Sequence, residues 1–222
     1  MISMKEFFSI LLCLHILGGG LGLLVGTFIL FLKKGDKLHR RLGLLFYVGM
    51  ALAGFTSLIM AVLHPNNFLF IVGIFTLYMN LSAKRYLRFK KKEQVAEYFD
   101  YIISAFMLIF GLIFMGWGAY LLIQFKIFGL VFVVFGSIGL RFVRQDYLFH
   151  QTMPRGPLAW LSNHIQRMMG TYIASLTAFL VVNASIFPAF IPSFVFWLLP
   201  GCIVGPMIGR FVKQYTQKTS MS

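Results

Sequence analysis

Negative charge is what this chain has least of. Six Asp and Glu stand against 20 Lys and Arg in 222 residues, a net charge of +14, and charged residues of both signs amount to only 12%. Soluble domains carry roughly 25% charged residues, so a water-soluble globular fold and a disordered chain are both excluded. With so few carboxylates, proton-coupled antiport through a mid-membrane acid is disfavoured. Cysteine is limited to Cys13 and Cys202, both inside apolar runs, which excludes a disulfide scaffold and marks no redox compartment. No His-Glu-x-x-His zinc motif, Gly-x-Ser-x-Gly elbow, Walker loop or buried carboxylate pair occurs. The last apolar segment has no lysine at its middle, which removes a retinal Schiff base. Strict alternation is missing as well, so a transmembrane barrel is not expected.

What is present is apolar length: 59% of the residues are hydrophobic. A helix crossing a hydrocarbon core needs about 20 such residues. Seven segments qualify, at about 7–32, 42–63, 67–83, 101–122, 125–143, 158–186 and 189–211, so the chain is expected to be a single all-α transmembrane domain over 1–222. The run beginning near Lys5 resembles a signal peptide at first. It continues to Leu32 and stops at Lys33-Lys34, as a spanning helix with its stop-transfer flank does. Leu12 before Cys13 also argues against a lipoprotein cysteine.

The basic residues sort by loop. Five lie between Lys33 and Arg41, six between Lys84 and Lys92, four are Arg141, Arg144, Arg155 and Arg167, and three follow from Arg210 to Lys218. With seven spans, 18 of the 20 fall on one side, and only Lys5 and Lys126 lie opposite. The positive-inside rule then predicts an outer amino terminus and a cytoplasmic carboxy terminus. The excess positive charge reads as a topology and anionic-lipid signal, and nucleic acid is a poor partner. No internal repeat is evident.

Within the first segment, Gly18, Gly22 and Gly26 recur every four residues, a pattern that lets another backbone approach closely. The face is expected to pack tightly, or to dock a partner or a second copy of the chain. His15 lies on it. His39 and His64 bracket the second segment 25 residues apart, roughly 37 Å along a helix, so they belong to opposite membrane faces. Two pairs follow as candidate axial ligands of b-type haem or a transition metal: His15 with His64 outside, and His39 with His164 inside. His150 and His164 are separated by Pro154 and Pro157 and do not share a helix.

The sixth segment carries a polar stripe, Asn163, His164, Arg167, Thr171 and Ser175, with Tyr172 and Asn183 at its edges. An arginine inside a span must snorkel, pair or face water. One reading has Arg167 reaching phosphates while the hydroxyls bond their own helix. The other is a ligand pocket in which His164, Arg167, Thr171 and Tyr172 hold an anionic or quinone-like head, with Asp146 as counter-ion. Pro192, Pro200-Gly201 and Gly205-Pro206 interrupt the seventh segment, as happens in some transporters.

Two motifs carry a resemblance. Lys34-Gly35-Asp36-Lys37-Leu38-His39-Arg40-Arg41-Leu42-Gly43 follows a glycine-rich first helix, and Asn163-His164-Ile165-Gln166-Arg167-Met168-Met169-Gly170 opens the sixth. Together they resemble a family of bacterial multi-pass membrane proteins whose function is not known. The resemblance implies a bacterial inner-membrane location and draws attention to His15, His39, His164 and Arg167. Three classes of function remain open: a histidine-dependent redox or cofactor protein, a small-ligand transporter or channel, and an accessory subunit of a membrane complex.

Overall fold

The structure is a computed structural model that describes residues 3–91, 94–152, 156 and 158–217. Lys92, Pro154, Arg155, Pro157 and Lys218, all used in the sequence reading, lie outside the described residues. Among the described residues there are seven α-helices and no strand: α1 Met4–Phe31, α2 Lys37–Leu63, α3 Asn67–Tyr86, α4 Tyr98–Ile123, α5 Gly129–Gln151, α6 Ala159–Val182 and α7 Ser193–Gln217. Short 3-10 turns, Leu87–Lys90 and Ala184–Ile186, extend α3 and α6.

Side-chain caps explain where several helices begin. Asp36 accepts from the His39 amide at 2.7 Å, which starts α2 at Lys37, five residues earlier than hydropathy suggests. His39, Arg40 and Arg41 are therefore helical. Asn66 does the same for α3 through the Leu69 amide, at 3.0 Å. The fifth helix departs most from expectation. Phe125, in the left-handed region at φ 57°, belongs to a turn, so α5 starts at Gly129 and continues past Val143 to Gln151. Gln145 and Asp146 remain helical there because side chains of α3, α4 and α6 satisfy their polar atoms. In α7, Pro200 and Pro206 lie within the helix without ending it.

Six helices, all but α5, are long and apolar enough to cross a membrane. Every 18-residue stretch of α5 contains Arg141, Arg144 and Asp146, more charge than the apolar windows of the other six hold. Large apolar side chains such as Phe28, Ile109 and Val182 point outward, as a lipid-facing surface requires. This is the architecture of an integral helical membrane protein.

Helix α3 is the axis of the bundle, packed against α2, α4 and α6. Its Ile71, Ile74, Tyr78 and Met79 are buried with Met107 and Phe114 of α4 and Phe132 of α5. A second core joins Val25 of α1, Phe46 and Met50 of α2, Met169 and Tyr172 of α6 and Val204 of α7. Two hairpins flank the axis and are closed by glycine. A Cβ on Gly18 would lie 2.8 Å from the Gly49 carbonyl oxygen, and one on Gly49 would lie 2.7 Å from that of Gly18. Between α4 and α5, Gly118 and Gly129 stand in the same reciprocal relation, at 2.9 and 2.6 Å. The Gly18/Gly22/Gly26 face, expected to pack tightly or to dock a partner, packs within the chain against Gly49, Met50, Phe46 and Tyr172.

Candidate functional site

Two clusters of cationic side chains stand on different faces of α6. The first is centred on Arg167, which is completely buried. A guanidinium there cannot snorkel, so it needs an internal anion. Its Nη2 donates to Asp146 Oδ1 at 2.6 Å and to the Phe142 carbonyl at 3.1 Å. Nη1 donates to Gln145 Oε1 at 3.2 Å, and the amide of Gln145 donates in turn to Asn163 Oδ1 at 2.6 Å. The plane of the guanidinium covers the Phe142 ring at 3.8 Å.

Asp146 is equally enclosed. Tyr86 donates to Oδ1 and Tyr78 to Oδ2, each at 2.5 Å, and Ser104 adds a 3.2 Å bond to Oδ2. One carboxylate therefore accepts four side-chain donors from α3, α4 and α6, two on each oxygen. Such a group holds helices together and leaves no oxygen for a ligand. Arg167, expected to hold a ligand with Asp146 as counter-ion, is paired with Asp146. Thr171 follows suit: fully buried, it donates to the Arg167 carbonyl of its own helix at 3.0 Å, and Ser175 donates to the Tyr172 carbonyl at 2.9 Å. The long polar stripe is mostly internal bonding.

The second cluster surrounds a cavity of about 240 Å³ between α1, α2, α6 and the end of α3. His39 and Arg40 enter it from α2, Lys84 from α3, and His164 from α6. The inner histidine pair expected from sequence therefore shares one space. His164 Nδ1 bonds the Ala83 carbonyl at 2.9 Å. A carbonyl can only accept, so Nδ1 carries the proton and neutral His164 keeps its Nε2 lone pair. His39 Nδ1 is buried without a hydrogen-bond partner. Tyr172 lines the cavity with its ring, while its hydroxyl meets Thr27 Oγ1 at 2.9 Å. Of the four ligand residues expected beside the histidines, Tyr172 alone reaches this space.

The outer pair is not brought together. His15 Nδ1 bonds the Ala53 carbonyl at 3.0 Å and Thr56 Oγ1 at 3.3 Å, in the middle of α2. His64 ends α2 and meets Phe8 edge-on, with ring centroids 4.4 Å apart. Ala53 and His64 are eleven residues apart, or about 16 Å of helix, far beyond the span of one iron. Nor do three His, Cys, Asp or Glu converge on a metal position among the described residues. The inner cavity exceeds the roughly 150 Å³ that accepts benzene in an engineered core. It is smaller than the roughly 300–1,000 Å³ of pockets that enclose drug-sized ligands.

Outside the candidate spans, Glu97 bonds both Arg88 and Arg85 at the mouth of the α3–α4 connection. These two guanidinium groups, Arg88 foremost, hold its carboxyl down at about 2. Lys34 is also committed. Its ammonium caps α1 through the carbonyls of Ile29, Leu30 and Leu32 at 2.5, 2.9 and 2.9 Å, and burial lowers its proton affinity.

Tyr78, Tyr86 and Ser104 were missed by sequence reasoning. The tyrosines are eight residues apart on one face of α3, a spacing that could have signalled a common target. Compared with known proteins, the chain matches no family model, no curated protein and no solved structure, so its site is read from its own geometry.

Proposed function

We propose that this chain is a seven-span membrane protein, amino terminus outside, that binds a small ligand in the His39/His164 cavity at its cytoplasmic end. The observation that carries the reading is convergence. Side chains from three helices meet at one space whose remaining wall is apolar, built from Ile29, Leu30, Phe46 and Met168. A few placed polar groups in a largely apolar concavity are what orient small ligands. The sorting of 18 of 20 basic residues supports the orientation, which puts the cavity beside the cytoplasmic headgroups.

Gly43 lines the cavity, and a Cβ added there meets nothing within 4 Å. Gly43→Cys, in a chain with Cys13 and Cys202 replaced by alanine, is expected to react with a maleimide in native membranes. Complete resistance to the reagent would overturn the open cavity. An absorption spectrum of the purified protein is expected to show no Soret band. Stoichiometric haem lost on His164→Ala would restore the cofactor reading.

Topology has its own test. Phe125→Cys should label from outside intact cells, and Val95→Cys and Thr152→Cys only after permeabilisation. Labelling of Thr152→Cys from outside would remove α5 as a span.

A further inference from the structure

The geometry points to an anionic membrane amphiphile, a phosphate head on an apolar chain, as the occupant of the α1/α2/α3/α6 cavity. This rests on the cavity being the binding site and goes further by naming the ligand's chemistry. The lining contains two imidazoles, one guanidinium and one ammonium, from His39, His164, Arg40 and Lys84, and no carboxylate. The nearest acid in sequence, Asp36, caps α2 through the His39 amide and does not line the space. Three cations that are not fully exposed have internal partners: Arg167 has Asp146, Arg85 has Asp100 at 2.7 Å, and Lys34 has the end of α1. At the cavity no carboxylate of the lining is offered to Arg40 or Lys84, and Lys84 has only the face of the Tyr47 ring, 5.7 Å away. The Arg40 guanidinium, the Lys84 ammonium and His39, when its unpartnered Nδ1 carries the proton, direct donors at one space, which suits a head with several acceptor oxygens, as a phosphate has. The amino-terminal end of α2 adds the favourable end of a helix dipole.

The rim decides where the ligand comes from. Leu44 and Leu87 line the cavity and are 51% and 38% exposed, so the opening has an apolar lip beside Arg40 and Lys84. A soluble anion gains nothing from that lip. A bilayer amphiphile does: its head meets the basic groups and its chain leaves between the two leucines into lipid. About 240 Å³ holds a head and the first carbons of a chain, not a whole lipid.

The test uses the full chain carrying Gly43→Cys, in neutral detergent, with protection from maleimide as the readout. Dodecyl phosphate is expected to protect at concentrations about tenfold or more below dodecanol or dodecyltrimethylammonium, because a charge-assisted hydrogen bond contributes that much. Inorganic phosphate is expected not to protect. Long-chain phosphatidic acid in phosphatidylcholine nanodiscs should protect, and phosphatidylcholine alone should not. Lys84→Met and Arg40→Gln, changes at exposed residues that leave the fold intact, should each weaken protection by dodecyl phosphate about tenfold.

Equal protection by inorganic phosphate would assign the cavity to a soluble anion and overturn the amphiphile. Equal protection by dodecanol or the cationic surfactant would overturn anion recognition. Labelling that no probe prevents would likewise overturn this inference, while leaving the cavity reading in place. Failure to label Gly43→Cys at all defeats the cavity reading itself.

Discussion

His164 and Arg167 are three residues apart on α6, yet they belong to opposite kinds of site. Arg167 turns toward α5 and finds Asp146, two tyrosines and a serine already arranged around the counter-charge. His164 bonds the Ala83 carbonyl of α3 and shares an open space with three other basic side chains and no acid. In the first cluster both carboxylate oxygens are paired from within the chain, although Arg167 Nε has no hydrogen-bond partner; the lining of the second offers no carboxylate. A cationic residue inside a span therefore does not identify a binding site by its charge. What distinguishes the two is whether the chain supplies the compensating anion.

The largest expected effect lies at the complete site. Asp146→Asn or Arg167→Met strands one buried charge and should destabilise the protein by about 3–5 kcal/mol. The Asp146→Leu, Arg167→Met double replacement should be less destabilising than the sum of the single changes in a thermal-unfolding cycle, while the hydroxyls of Tyr78, Tyr86 and Ser104, left without their acceptor, keep it below the parent. Single changes that cost under 1 kcal/mol would show that the network is not structural.

At the open site the sign should reverse. Gly43→Leu fills empty space and should stabilise by about 0.5–2 kcal/mol, while dodecyl phosphate should no longer raise its unfolding temperature. A destabilised Gly43→Leu would mean the space is already occupied by protein.

Smaller again, Lys84→Met should leave unfolding within about 0.5 kcal/mol of the parent, so that any loss of binding is separable from folding. Smallest is Glu97, whose ion pairs are solvent-exposed and worth little at neutral pH. Its carboxyl is held at about 2 instead of 4.5. Its contribution is therefore present above pH 4.5 and fades as pH falls toward 2. Glu97→Gln should flatten the difference in that window alone, and parallel acid profiles for parent and variant would remove the ion pairs from the account.

Much of the fold was legible because long apolar runs have few alternatives. The places where the reading slipped have definite causes. Hydropathy placed the fifth helix at 125–143, since it sees neither a left-handed turn at Phe125 nor that Gln145 and Asp146 have partners elsewhere. Asp146 could be named as the counter-ion of Arg167 because so few acids exist to choose from. Tyr78 and Tyr86 could not, because a tyrosine within an apolar run reads as packing until the opposite helix is known. Four-residue glycine spacing announced a close approach for α1 without saying to what; the answer is α2, through Gly49. The His15/His64 pairing failed on depth, which a one-dimensional pattern does not carry.

The charged half of α5 has a consequence for how the protein is made. Arg141, Arg144 and Asp146 give every 18-residue stretch of α5 more charge than the apolar windows of the other six helices hold, which makes its passage into lipid alone less favourable. Arg167, the partner of Asp146, is synthesised 21 residues later. If α5 is the span proposed above, it would enter the bilayer against α4, which it meets backbone to backbone at Gly118 and Gly129, before α6 is made. The order of synthesis then matters as much as the final contacts. A bulky residue at Gly118 would strand α5 outside the membrane before Arg167 had been translated.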